Sequence, residues 1–327
     1  AGQAALAAEI PDGYSRAQDE SGVAIGAVYS IADFTADIGS SPLGFPVETL
    51  VGGLNWRPSL GAVSFKLDLS RRSVTDSLLS YAGAVDPLTG DIWGGVTKTG
   101  GRLDMAYDLG QYGVYANGSY HVLDGENVAR NSVYEIGGGF YARALDTRDM
   151  RVTWGLNVTT FFYDKNLRRF TWGHGGYFSP QSYFAVAIPV EWSGGRGRFS
   201  YKLNAALGIQ SFKEDGTAAF PNDSALQAAL EQRIIDAIDE SEDGTTTLVA
   251  GYSGQNSTGI GFNFGGAFEY LIAPNLAAGA RFGLDNARDY EEAQALGYIR
   301  FYFSGQRAAA RPPNSLLPYY DFGDPTL

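Results

Sequence analysis

Apolar and polar residues alternate with period two through most of the chain, which is the pattern of strands with one dry face and one wet face. Val23, Ile25, Ala27, Tyr29 and Ile31 share one face, against Ala24, Gly26, Val28 and Ser30. Val63, Phe65, Leu67 and Leu69 oppose Ser64, Lys66, Asp68 and Ser70. Leu103, Met105, Tyr107 and Leu109 oppose Arg102, Asp104, Ala106 and Asp108. Twelve such segments can be read, the others lying at 50–56, 112–119, 134–143, 152–163, 183–191, 202–210, 260–269, 276–285 and 298–303. The links near Pro58, Gly110, Asp146, Gly194 and Pro274 are short. Those at 34–46, 71–101, 123–131, 164–181, 212–256 and 286–292 are mostly much longer.

Soluble β-sandwiches and soluble barrels also alternate. Three features point instead to a transmembrane antiparallel up-and-down β-barrel. The second face carries Gly, Asn, Ser and charges of both signs, as a wet lumen does. Trp56, Trp154, Phe162, Trp192, Tyr270 and Phe303 sit at segment ends, where interfacial girdles lie. Short turns on one side and long loops on the other complete the outer-membrane pattern. No run of 18 uncharged apolar residues suggests a membrane helix. Ala1 to Pro11 lacks the basic and apolar regions of a signal peptide, so a targeting segment is expected upstream.

One stretch changes period. Leu226, Leu230, Ile234 and Ile238 recur every four residues, Ser224 with Gln227 suggests a capping box, and Gly244 ends the pattern. This predicts a helix in the longest outer loop, either capping the exit or packing as ornament. Past Phe303, the segment 304–327 holds Pro312, Pro313, Pro318 and Pro325 and is no strand. By strand parity it leaves on the short-turn side, there to lie free or fold into the barrel mouth.

Composition narrows the chemistry. The 327 residues include 43 Gly, 20 Tyr, 19 Phe, 5 Trp, 2 His and no Cys. Disulfides, thiolate metal sites, cysteine nucleophiles and a three-histidine metal centre are thereby excluded. A net charge of −12 disfavours nucleic-acid phosphates. Asp239-x-Ser241-x-Asp243-Gly244 opens like a calcium loop, but its twelfth position is Ala250 rather than Glu, so no metal is expected. Gly251-Tyr252-Ser253-Gly254 is not a nucleophile elbow. No catalytic residue and no cofactor is nominated.

The polar faces nominate Asp104, Asp108, Glu135, Arg143, Lys202 and Arg281 as lumen wall. Mixed signs suit a neutral, hydroxyl-rich passenger better than an anion. Pairing of these charges across the wall, with no role beyond stiffening it, is the plainer alternative. The loop Phe170–Gln181 joins an exposed His174 to aromatic residues on glycines. Trp93, Trp172, His174, Tyr177 and Phe178 are the candidate polysaccharide-binding positions, since flat aromatic faces suit the apolar faces of pyranose rings. A loop packed on itself at the rim would explain the same residues.

Several segments carry a family likeness: Trp93-Gly94-Gly95-Val96-Thr97 with Gly100-Gly101, Gly125-Glu126-Asn127-Val128, Tyr163-Asp164-Lys165-Asn166-Leu167-Arg168, and Gly197-Arg198-Phe199-Ser200-Tyr201. Most specific is the run His174-Gly175-Gly176-Tyr177-Phe178-Ser179-Pro180-Gln181. Together they make 21–303 resemble the C-terminal porin domain of the outer-membrane component of bacterial cellulose synthase. The resemblance implies a barrel of about sixteen strands in the bacterial outer membrane, exporting a linear polysaccharide, cellulose. Outer-membrane lipids, the glucan and the periplasmic part of the synthase complex are the implied partners. A periplasmic repeat array is implied before residue 1, with 1–20 as the junction; the chain itself shows no 34-residue helical repeat. Extra strand pairs would then lie within 71–101, 164–181 and 212–256. A general porin, or an outer-membrane enzyme acting on lipid or glycan, are the competing functions.

Overall fold

The computed structural model describes residues 19–86, 90–241, 245–287, 290–306, 308, 309 and 313. Thirteen antiparallel strands form one continuous ladder. They are β1 (Gly26–Ile31), β2 (Phe34–Ser40), β3 (Leu50–Trp56), β5 (Val63–Ser73), β7 (Ile92–Asp108), β8 (Tyr112–Glu126), β9 (Asn131–Asp146), β10 (Met150–Tyr163), β11 (Ser182–Arg196), β12 (Phe199–Glu214), β15 (Gln255–Ala273), β16 (Leu276–Ala287) and β17 (Tyr290–Phe301). Two short strands, β4 (Ser59–Leu60) and β6 (Ala84–Val85), pair onto β5 and β7. A separate two-stranded ribbon joins β13 (Thr217–Ala218) to β14 (Gly251–Tyr252). Each long strand pairs with its neighbours in sequence, which is the up-and-down order.

Against the sixteen strands implied by the resemblance, the described residues supply thirteen. The strand that alternation does not reveal is β2, which replaces the loop expected at 34–46. Phe34 to Ser40 pairs with both β1 and β3. Its two-residue turn, Ala32-Asp33, lacks the glycine that usually signals a hairpin, and Ala32 takes a φ of +49°. The expected extra pairs within 71–101, 164–181 and 212–256 reduce to β6, β13 and β14 and to longer ends of the flanking strands. The loop expected at 286–292 is also absent, because β16 reaches Ala287 and β17 starts at Tyr290.

The two faces divide as the alternation requires. Leu54, Leu69, Leu103, Met105, Ile136, Ile188, Leu207 and Ile260 are all exposed on the outer face. An unbroken belt of exposed apolar side chains is what a lipid-facing wall presents. All six residues expected at segment ends lie on this face; Trp56, Trp154, Trp192, Tyr270 and Phe303 form the girdle nearest the short turns. No described helix is long and apolar enough to cross a membrane. Tight links at Gly110 and Gly197, with φ of +84° and +62°, need the left-handed region that glycine enters without strain.

The buried core is not inside the membrane span. It sits at the long-loop end, where Val74, Val96, Leu123 and Val133 turn inward from the wall and pack on Leu167 and Tyr177 from the 164–181 loop. β7 and β15, at 17 and 19 residues, exceed the 9–11 or so that a bilayer needs, and the upper part of β7 carries Trp93 and Val96 of this core.

Two helices belong to the same end. In α1 (Leu78–Ala82), the Ser77 hydroxyl accepts from Ser80 N–H, and the Ser80 hydroxyl accepts from Ser77 N–H. The predicted helix is α2 (Ser224–Glu240). Its cap lies one residue before the expected Ser224: the Asp223 carboxylate accepts from the N–H groups of Ala225 and Leu226. Gln227 instead accepts from Phe220 N–H and donates to Ala250 O, tying the helix to its own loop. Leu230, with Leu226 and Ile234, packs on Ala219, Phe220 and Trp172; Ile235 and Ile238 further along stay exposed.

The tail starts on the short-turn side. Tyr302 N–H donates to Asn275 O, Gln306 N–H to Pro274 O and Ala309 N–H to Gly197 O, so the first tail residues run along that rim. The junction expected at 1–20, apart from Asp19 and Glu20, and tail residues 314–327 lie outside the described residues. So do Asp243 and Gly244 of the calcium-like sequence; no metal-binding cluster occurs among the described residues.

Candidate functional site: the mouth and the polar wall

The mouth is built by the 164–181 loop folding inward. Gly175 and Gly176 both donate to Leu167 O, and the Ser179 hydroxyl accepts from Leu167 N–H. Asn131 at the start of β9 rivets the loop: its amide donates to Lys165 O and to the Tyr177 hydroxyl, and its oxygen accepts from Lys165 N–H. Arg168 reaches Glu214 at 3.2 Å, and Phe178 N–H donates to Asp76 just before α1. Burial raises the Asp76 carboxyl above its ordinary pKa, opposed by that hydrogen bond and by the charge of Lys98. Two loops from different parts of the sequence are thus locked together.

The expectation of an exposed histidine is corrected. His174 is 0% exposed, because the loop closes over it rather than presenting it. Its Nε2 lies 3.0 Å from Ala218 O, which fixes the proton on that nitrogen, and its ring meets Tyr252 edge-on. Burial lowers its pKa from 6.5 to about 4; the carbonyl bond opposes this and nearby Arg169 adds to it. Tyr177 is buried as well, its hydroxyl held by Asn131, so neither residue offers a face to a sugar in this conformation. Burial pushes its phenol well above the ordinary tyrosine range.

The other three loop candidates differ. Trp93 and Trp172 are half-buried and meet at 5.8 Å between ring centroids. Phe178 is half-buried against Phe161, Tyr183 and Phe212, which come from three adjacent strands and share the inward face. The mouth is therefore narrowed on this side by an aromatic cluster, with Phe161 and Tyr183 stacked at 4.2 Å.

All six wall candidates fall on the inward face, and most are paired. Arg102 bonds Glu135 at 2.6 Å and Asp104 at 2.9 Å. Arg143 bonds Asp108, and Lys202 lies 3.1 Å from Glu191. Arg281 stands between Ala267 and Leu296 in the ladder. Arg72 with Asp37 and Arg300 with Glu269 repeat the pattern at other points of the wall.

Several inward glycines are covered by side chains from the neighbouring strand. A Cβ built on Gly113 would stand 2.2 Å from the Tyr141 ring, on Gly279 2.3 Å from the Tyr298 ring, and on Gly139 2.8 Å from the Tyr115 hydroxyl. In each case the tyrosine is the direct ladder partner of the glycine and lies across it. Each hydroxyl ends on the strand beyond. Tyr115 on β8 crosses Gly139 on β9 and donates to Asn157 on β10 at 3.0 Å. Tyr141 crosses Gly113 and donates to Asp108 on β7 at 2.9 Å, and Tyr298 crosses Gly279 and donates to Glu269 on β15 at 3.0 Å. Covering a strand glycine with a cross-strand aromatic is a known stabilising device. Sequence reasoning does not find Tyr115, Tyr298, Asn157 or Glu269 as site residues, since alternation assigns a face and not a reach across two strands.

With this geometry in view, the comparisons decide the family. The model of "Cellulose synthase operon protein C C-terminus" matches residues 1–304. The chain belongs to that family. Cellulose synthase operon protein C of Xanthomonas axonopodis pv. citri (strain 306) is 42% identical over 93% of this chain and 20% of its own length. The protein of the same name from Escherichia coli (strain K12) is 31% identical over 94% of this chain and 26% of its own. The chain thus spans a fifth to a quarter of these relatives. A solved structure, "Bacterial polysaccharide outer membrane secretin", has 10% identity and a TM-score of 0.47 over 86% of this chain and 79% of its own. The family and the lipid-facing barrel wall make this an outer-membrane component of cellulose biosynthesis.

Proposed function

We propose that this barrel is the outer-membrane conduit through which a linear polysaccharide, cellulose, leaves the cell. The observation that carries the reading is the polar wall. Its charges are mostly paired with opposite charges, from Arg72–Asp37 to Arg300–Glu269, and its tyrosines lie flat with their hydroxyls bonded. Such a wall offers a passing chain many weak polar contacts and no strong field of either sign. A selective ion pore needs a ring of one sign, and conduction of any passenger needs sites weak enough to leave. Neutral, hydroxyl-rich glucan fits this wall.

Movement is driven from the synthesis side and the barrel does no chemistry. His174 is buried with its Nε2 committed to a carbonyl. The mouth, with Trp93, Trp172 and Phe178, is the exit that the chain must pass. The periplasmic portion of the full-length protein connects the barrel to the synthase. The test is surface cellulose in cells carrying the full-length protein with 171–178 deleted. Export is expected to change while the barrel still assembles in the outer membrane; unchanged export would remove the loop from the account. Passage of unrelated small solutes with no dependence on glucan would favour a general porin instead.

A further inference from the structure

Gly113–Tyr141 and Tyr115–Gly139 are neighbouring direct pairs of the β8–β9 ladder, with residue types exchanged. Two residues along a strand are about 7 Å apart. The two rings therefore lie side by side and point in opposite directions, one toward β10 and the other toward β7. Neither can rise off the wall freely, because both hydroxyls are bonded at their far ends. Each ring is half-buried and rests on the glycine across from it. Arg143 lies over the Tyr141 ring, its guanidinium carbon 5.2 Å from the centroid, and is itself held by Asp108, so Tyr115 is the less covered of the two rings.

Stiffening the wall would need the hydroxyl bonds but not the absence of a side chain beneath each ring. The glycines lower the rings onto the wall. We propose that Tyr115 and Tyr141 form a flat plate on which the pyranose faces of a β-linked glucan rest in passage. In such a glucan the hydroxyls are equatorial, so the ring faces are apolar C–H surfaces that match an aromatic face. Asn157, Asp108 and Arg143 around the plate supply partners for those equatorial hydroxyls. The proposal rests on the conduit reading and names where inside the conduit the sugar is held.

The test measures cellohexaose binding to the full-length protein in detergent, by isothermal titration, with outer-membrane assembly checked by heat-modifiable migration. Tyr115→Leu removes a ring and is expected to raise Kd roughly fivefold, about 1 kcal/mol of lost stacking. Tyr115→Phe keeps the ring and is expected to restore most of the affinity. Gly113→Ala is the second variant, since the three atoms nearest its Cβ all belong to the Tyr141 side chain, which it lifts off the wall; it is expected to weaken binding roughly threefold. If Tyr115→Leu does not assemble, Gly113→Ala decides. Wild-type binding that survives in assembled Leu and Ala variants overturns the plate and leaves the conduit standing. A wild-type protein that binds no cello-oligosaccharide overturns the glucan reading, and the plate with it.

Discussion

Tyr115 and Asn157 are joined by a hydrogen bond that spans a third strand. They lie on β8 and β10, and the ring between them passes over Gly139 of β9. The bond is possible because three in-register positions are occupied by Tyr, Gly and Asn, in that order across the wall. A side chain at 139 would block the crossing.

Substitution at such a glycine is therefore costly while substitution at an uncovered one is not. Gly139→Ala would set its Cβ 2.1 Å from Leu156 O and 2.8 Å from the Tyr115 hydroxyl, and is expected to cost roughly 1–3 kcal/mol. Gly283, also on the inward face, has nothing within 4 Å of an added Cβ, and its alanine variant should lie within about 0.5 kcal/mol of the parent. Unfolding midpoints of the two variants in detergent micelles check the contrast.

The faces of the strands, their short turns and the helix of the longest loop are legible from alternation and period alone. The Ala32-Asp33 turn is not, because it carries no glycine signal, and Phe34, Ala36 and Ile38 of β2 alternate with Thr35, Asp37 and Gly39 over too few residues to stand out from a loop. The mouth misleads for a different reason. Gly, His and aromatic residues in one run suggest an open loop, yet Asn131, Asp76 and Glu214, which bury it, are 30 to 100 residues away. The abundant glycines look like a means of widening the bore. Five of them, Gly139, Gly113, Gly279, Gly137 and Gly261, are saddles for Tyr115, Tyr141, Tyr298, Asn117 and Gln210, a fact of cross-strand register that no single-strand pattern contains.

The rivet at Asn131 sets the stability of the mouth. Asn131→Ala removes its bonds to Lys165 and Tyr177 and leaves buried polar groups unpaired, at a cost of about 2 kcal/mol to the loop. Limited proteolysis within 164–181 should accelerate in this variant while the barrel core stays resistant. Equal resistance in variant and parent would show that the loop is held elsewhere.

The mouth should also loosen in acid. His174 has its pKa lowered from 6.5 to about 4 in the folded loop, so an opened loop binds the proton more tightly. Its stabilising contribution is whole above pH 6.5 and is lost as pH falls toward 4. Hydrogen exchange of 164–181, corrected for the intrinsic rate, should show protection falling through that window. His174→Gln should flatten the dependence.

Charge pairing on the wall gives an electrical prediction. Arg102→Gln leaves Glu135 and Asp104 without their shared cation. The reversal potential of the full-length protein in a planar bilayer should shift toward cation selectivity. The shift should be absent in Arg151→Gln, since the Arg151–Asp146 pair is exposed at the short-turn rim.

The most direct test of the conduit places a photo-crosslinking residue inside the bore during synthesis. Asn204 lies on the inward face of β12, and Leu207 on the same strand faces lipid. In cells making polymer with the full-length protein, a crosslinker at 204 should capture labelled glucan and one at 207 should not. Capture at neither position during active export, or equal capture at both, would contradict the account.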